Sequence, residues 1–386
     1  MSRANPVLLP LIVARDAARL GRENVVPRDR TQQASDLEEA IAWLCRSHDA
    51  TGRQGSSKGY SLVHGWFPAY PETTGYVLEV LLWHAQRTGG RADLLERACE
   101  MGEWEVRIQE ADGGTMEGQV GTEPRRSIVF NTGQVLHGWV TLLEGGHAVF
   151  EEPAARAARF LVDNLRDDGT WEESVEYSRI PHTYNSRVAW AMLRYARHAG
   201  ATDVEAAARR QLDWTVKQQR PNGWFEQCVF KSGTTPSTHG IAYTLRGLLE
   251  GYALTSEQRW LDAVERTSEV LVRKLEVLPR LVANYDEDWR PTAPHACLTG
   301  IVQLGGVWLR LFQVTRDPRW LNAGLKAVEQ AVSYQETLRS PAVRGALAGS
   351  FPVWGRYAPL QYPNWATRFM AESLMLHADC AREIPA

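Results

Sequence analysis

NLRDDGTW (Asn164–Trp171) ends one amphipathic stretch and leads into a more apolar one, and its reading decides the architecture. The same phrase, a helix closing on a polar turn with glycine and often tryptophan, recurs as QEADGG (Gln109–Gly114) and KQQRPNGWF (Lys217–Phe225). A looser copy is LCRSHDATG (Leu44–Gly52). Repetition of this kind marks units that bury their apolar faces only by stacking on their neighbours.

Outward from these turns, helical periodicity predicts twelve helices. They cover Asp36–His48, Thr73–Arg87, Ala92–Gln109, Thr132–Glu144, Pro153–Leu165, Tyr184–His198, Val204–Gln219, Thr238–Tyr252, Ser256–Leu275, Cys297–Val314, Pro318–Tyr334 and Tyr362–Ala378, with Asp36 as N-cap of the first. They read as six pairs. The first member carries charge on one face (AARAARFLVDNLR), and the second is apolar nearly all round (GQVLHGWVTLL), the pattern of a buried helix. The expected fold is therefore all-α, an (α/α)6 toroid with an inner and an outer ring. Residues 36–386 form a single domain in this reading, with residues 1–35 as an N-terminal extension packed on the body.

The formal net charge of −3 over 386 residues and the lack of a Lys/Arg tract argue against a nucleic-acid partner. Cys45, Cys99, Cys228, Cys297 and Cys380 are scattered and odd in number, which fits a reducing, cytoplasmic setting. No apolar run approaches the roughly 18 residues of a membrane span. VLLPLIV (Val7–Val13) reads as a segment packing on the body, with a peripheral membrane contact as the lesser alternative. A homodimer is left open.

The segments entering the inner helices are long and rich in Gly, Pro, Trp, Tyr, His, Asn and Arg, a composition typical of functional loops. In a toroid they gather at one end, where the inner-helix N-termini present partial positive charge to an anionic ligand. PHTYNSR (Pro181–Arg187) sets His182, Tyr184, Asn185 and Arg187 at one helix start. YPETTGY supplies Glu72 and Tyr76, and THGIAY supplies His239 and Tyr243. Each also has a structural reading: Glu72 as a capping carboxylate, His239 as a hydrogen-bonded structural histidine, Tyr184 and Asn185 as packing at a helix entry. Asn131 and Gln134 could bind hydroxyls, Lys58 could meet an anion, and Trp66 and Trp354, outside the repeat turns, could stack on a sugar. Cys228, His239, His295 and Cys297 fall on adjacent segments, but no metal-binding spacing is present and neither a metal nor another cofactor is expected.

The helix–turn phrases resemble the Gln/Trp repeats of the squalene cyclase and prenyltransferase superfamily, which implies an α/α toroid. The protonating Asp-x-Asp-Asp motif of the isoprenoid cyclases is missing, YDED (Tyr285–Asp288) and RDDG (Arg166–Gly169) being poor substitutes. TPSTHGIAYTLRGLLEGY (Thr235–Tyr252) resembles the Pro-containing helix entry of glucuronyl C5-epimerases, with toroidal polysaccharide lyases similar as well. The implied activity is proton abstraction at C5 of a uronate in an acidic polysaccharide or oligosaccharide, by epimerisation or β-elimination. That resemblance makes Tyr184 and His182 the first proton-transfer candidates and Glu72, Tyr76 and His239 the next, with Asn131, Asn185 and Arg187 on the carboxylate and hydroxyls. Three alternatives stay open: a glycoside hydrolase drawing two carboxylates from Glu72, Glu172, Glu173, Glu176 and Asp286; a terpenoid cyclase-like enzyme with an enclosed apolar cavity; and a non-catalytic sugar-binding protein.

Overall fold

Two concentric rings of helices close on each other between the two ends of the chain. The structure is a computed structural model and describes residues 4–20, 30–172 and 179–383. In chain order the helices are α1 (Leu8–Arg19), α2 (Arg30–Asp49), α3 (Pro71–Arg87), α4 (Ala92–Ile108), α5 (Val129–Glu144), α6 (Glu151–Asp163) and α7 (Ser186–Ala199). There follow α8 (Thr202–Lys217), α9 (Thr238–Thr255), α10 (Gln258–Val277), α11 (Leu298–Thr315), α12 (Pro318–Val332) and α13 (Asn364–Ala381). The odd-numbered helices α3 to α13 form the inner ring, each packing on the next, and α13 returns to α3. The even-numbered helices form the outer ring. The chain therefore has the (α/α)6 toroid fold.

Its tight hairpins join partners other than those expected. Each inner helix packs on the outer helix that follows it, as α3 does on α4, and α2 packs on α13. Short inner-to-outer links make antiparallel neighbours, while the long segments run from outer helices back to inner ones. Those long segments carry short antiparallel pairs. β1 (Gly59–Ser61) pairs with β2 (Gly65–Trp66), β3 (Thr115–Met116) with β4 (Ser127–Ile128), and β5 (Ala296–Cys297) with β6 (Ser350–Phe351). β7 (Gln361–Pro363) adds to β1, Tyr60 facing Tyr362 in register, and so ties the last loop to the first.

The repeat phrase folds the same way each time. In NLRDDGTW the Arg166 and Gly169 amides donate to the Thr170 and Arg166 carbonyls, and the Asp168 carboxylate accepts from the Thr170 amide. Glu110, Gly113 and Asp112 repeat this pattern after α4, and Arg220, Gly223 and Asn222 after α8. The turn glycine has φ of 88°, 87° and 83° at Gly113, Gly169 and Gly223. A Cβ there would lie 2.6, 2.5 and 3.0 Å from the carbonyl oxygens of Arg156, Arg210 and Arg266, each on the next outer helix. Glycine is thus demanded twice, by backbone conformation and by close approach. A further copy follows α12: Gly345, at φ 84°, would place a Cβ 2.1 Å from the Glu39 carbonyl oxygen of α2. The side-chain amide of Gln335 donates to the Asp36 carbonyl (2.8 Å) and the Gly345 carbonyl (3.0 Å), just as Gln109 donates to Pro153 and Gly113. This copy seals the ring.

Asp36 is not the N-cap of its helix. α2 begins at Arg30 and Asp36 is buried inside it. The Val7–Val13 run belongs to α1, which buries Leu8 and Ile12 and joins Arg15 to Glu336 at 2.8 Å. No helix among the described residues is long and apolar enough to cross a membrane.

Candidate active site

The long loops bring Glu72, Tyr76, Arg187, His239 and Tyr243 together at the N-terminal ends of the inner helices. Local sequence sets each one. Pro71 starts α3 with its fixed φ, so Glu72 falls in the first turn, where the helix dipole favours a carboxylate. Ser237 caps α9 by accepting the Gly240 amide at 3.1 Å, which places His239 in that helix's first turn and Tyr243 one turn on.

Glu72 is half-buried and accepts hydrogen bonds from the hydroxyls of Tyr70 and, at 3.4 Å, Tyr76. Burial holds its carboxyl above the usual carboxylate range, against the pull of those hydroxyls and of the Lys58 ammonium. Lys58 itself lies over the Tyr70 ring, 5.3 Å from the centroid. The Tyr76 and Tyr243 hydroxyls interact, and burial raises the pKa of both. The His239 ring lies 4.3 Å from Tyr243 and 5.4 Å from Tyr357, between centroids. Its Nδ1 is 2.5 Å from the Gln303 side-chain oxygen. Burial lowers its pKa to about 3, so the imidazole is neutral at physiological pH.

Arg187 is buried among rings, its guanidinium 5.6 Å from Tyr76, 5.3 Å from Trp190, 5.4 Å from Tyr243 and 5.5 Å from Phe369. Its Nε donates to Gln134 at 2.7 Å, while Nη2 has no hydrogen-bond partner among the described residues. It forms no ion pair there either, although the barrel axis beyond it is filled with ion pairs. Glu79 binds Arg194 at 2.6 Å and Arg368 at 2.9 Å, Arg246 binds Glu250 and Glu372 at 2.9 Å, and Arg368 also binds Glu372. Burial and the nearby Arg368 charge lower the Arg187 pKa, yet it remains a cation at neutral pH.

The remaining candidates sit around or away from this cluster. Tyr184 is buried with its ring stacked on His182 (4.6 Å) and reaches Tyr243 through Phe130, which lies 5.2 Å from one and 5.4 Å from the other. Asn185 is buried beside it. Gln134 is turned to Arg187. Asn131 donates to the Met116 carbonyl at 2.7 Å, and its buried side-chain oxygen has no partner among the described residues. Trp66 packs on Trp43 and Tyr60, and Trp354 is 40% exposed on the last loop. Of the carboxylates open to a hydrolase, Glu172 pairs with Arg166 and Asp286 accepts turn amides, while Glu173 and Glu176 lie outside the described residues.

Cys228, His239, His295 and Cys297 do not gather. Cys228 lies 3.5 Å from the Thr244 hydroxyl, and Cys297 accepts the Gly300 amide. Among the described residues no group of three or more His, Cys, Asp or Glu side chains is arranged to hold a metal ion.

Gln303, Tyr357 and Phe369 complete the cluster without having drawn attention in the sequence. Gln303 offered one signal, a lone amide in the otherwise apolar LTGIVQLGGVWL (Leu298–Leu309).

No protein-family model matches this sequence, and no curated protein matches it. Solved structures match the fold. An unsaturated glucuronyl hydrolase specific for heparin aligns with a TM-score of 0.74 at 12% identity, covering 91% of this chain and 98% of that one. A D-mannose isomerase gives 0.71 at 12% identity, covering 91% and 99%. The cellobiose 2-epimerase of Bacillus thermoamylovorans B4167 gives 0.70 at 12% identity, covering 89% and 98%. At such identities the likeness establishes the toroid fold.

Proposed function

We propose that this chain is a carbohydrate-active enzyme that moves a proton at C5 of a uronate-bearing sugar. One observation carries the reading: Arg187 is a buried guanidinium with no ion-pair partner among the described residues, set beside a neutral imidazole and a carboxyl held toward its protonated form. Glu79 and Glu372 act on Arg187 only at a distance, each being ion-paired to other arginines, so an anionic substrate that bonds it directly offsets the cost of burying the cation. The structural likenesses above are named for sugar-processing activities, which supports a sugar substrate, and the glucuronyl hydrolase among them is named for a uronate.

In this reading the substrate carboxylate lies against Arg187, with Lys58 and the inner-helix N-termini adding positive potential. His239 accepts the C5 proton, and the electron pair left behind delocalises into the carboxylate, where the fixed positive charge stabilises it. Glu72, hydrogen-bonded by Tyr70 and Tyr76, is the acid. Delivery of its proton to the opposite face of C5 gives the epimer; delivery to the leaving oxygen at C4 gives β-elimination. Tyr184 and His182 are packing residues behind the reacting groups in this scheme.

A hydrolase is the second reading, favoured by the raised carboxyl of Glu72, which suits a general acid, and by the glucuronyl hydrolase likeness. It requires a second carboxylate opposite the first. Incubation with uronate polymers and oligosaccharides in deuterated water separates the outcomes. Deuterium at C5 without chain shortening means epimerisation, an unsaturated product means elimination, and new reducing ends alone mean hydrolysis. No change with any uronate substrate overturns the catalytic reading.

A further inference from the structure

His239 reaches the cluster from α9, and its Nδ1 is 2.5 Å from the side-chain oxygen of Gln303 on α11. A carbonyl oxygen can only accept, so the ring proton sits on Nδ1 and Nε2 keeps its lone pair. Both residues are buried, and water does not compete for this bond. The remaining ring neighbours of His239, namely Phe230, Tyr243, Tyr357 and Phe369, meet it through their faces and edges, at centroid separations between 4.3 and 6.3 Å. They hold the plane of the imidazole but do not choose its tautomer.

We propose that Gln303 is a positioning residue that fixes His239 in the Nδ1–H tautomer and so makes Nε2 the proton-accepting atom of the site. The proposal rests on the function proposed above for what Nε2 does, but not for which nitrogen carries the proton. The choice of a neutral amide has a chemical consequence. A carboxylate in its place would stabilise the imidazolium and hold the ring charged to higher pH. The amide orients the ring without adding charge, so the base stays unprotonated.

Nitrogen-15 NMR of the histidine side chains tests this without needing turnover. In the parent protein the His239 resonances should show a protonated Nδ1 and an unprotonated Nε2 across neutral pH. Gln303→Glu keeps the acceptor oxygen and should keep that tautomer while moving the His239 titration upward by about 1–3 pH units. Gln303→Leu removes the acceptor and should populate the Nε2–H form. A parent ring protonated on Nε2, or a tautomer unchanged in Gln303→Leu, overturns the proposal. Gln303→Glu, which retains the bonding geometry, guards against misreading a folding defect. If uronate turnover is detected, its acidic limb should move upward in Gln303→Glu with little change in KM. If none is detected while the tautomer behaves as stated, the functional reading fails and the role of Gln303 stands.

Discussion

The outer rim and the axial cluster of this toroid are built on opposite rules. At the rim the same turn is made repeatedly, with a glycine at positive φ pressed on the carbonyl of the next outer helix, as at Gly113, Gly169, Gly223 and Gly345. On the axis four of the six inner helices bring different groups: Glu72 and Tyr76 from α3, Arg187 from α7, His239 and Tyr243 from α9, Gln303 from α11. Regularity at the rim holds the ring closed, and irregularity at its centre is what a site requires. Stability should therefore respond to the rim, and activity to the axis.

The largest effect expected is on chemistry. Glu72→Gln and His239→Asn should each lower uronate turnover by about 10²–10⁴-fold with little change in melting temperature, as steady-state kinetics and calorimetry would show. A loss of stability equal to the loss of activity would assign both residues to the scaffold.

The ion-pair column beyond Arg187 belongs to the scaffold although it lies on the axis. Glu79→Ala leaves Arg194 and Arg368 without their shared carboxylate. It should cost about 3–5 kcal/mol in denaturant unfolding.

At the rim, Gly345→Ala should cost about 2–4 kcal/mol, combining the strain of positive φ with a collision against Glu39. Gly200→Ala is the control: its φ is 68° but a Cβ there meets nothing within 4 Å. Equal costs for the two would mean that close approach contributes nothing to closure.

A smaller, pH-dependent effect separates burial from function. Glu105 is buried on α4, neither carboxyl oxygen has a hydrogen-bond partner among the described residues, and burial raises its pKa well above 4.5. The folded chain keeps this proton after the unfolded chain has lost it, so stability falls as pH rises from about 4.5 through the folded pKa. Glu105→Leu should stabilise the protein by about 1–3 kcal/mol above neutral pH and progressively less on acidification, measured by urea unfolding across pH.

The two regions also differed in how far the sequence revealed them. The rim was legible because its chemistry is local: Asp or Asn two residues before the amide it binds, then glycine, as in RDDGT and RPNGW. The Gln335–Gly345 copy escaped because inserted residues separate its glutamine from its glycine. The hairpin pairing escaped because hydrophobic patterning identifies a buried helix without naming its partner. On the axis, Glu72, His239 and Arg187 stood out as polar residues at helix starts. Their convergence depends on tertiary closure, as does the contact between His239 and Gln303. Glu79, Arg368 and Glu372 were masked by the apolar character of the helices that carry them, and only the structure shows Arg368 of α13 pairing with Glu79 of α3 and with Glu372 one turn on.

Isothermal titration of the protein with glucuronate and with glucose tests whether Arg187 receives a sugar carboxylate. The uronate should bind more tightly, with the preference abolished in Arg187→Met while the melting temperature is retained. Equal affinity for the charged and neutral sugars, or a preference that survives loss of Arg187, would contradict that role.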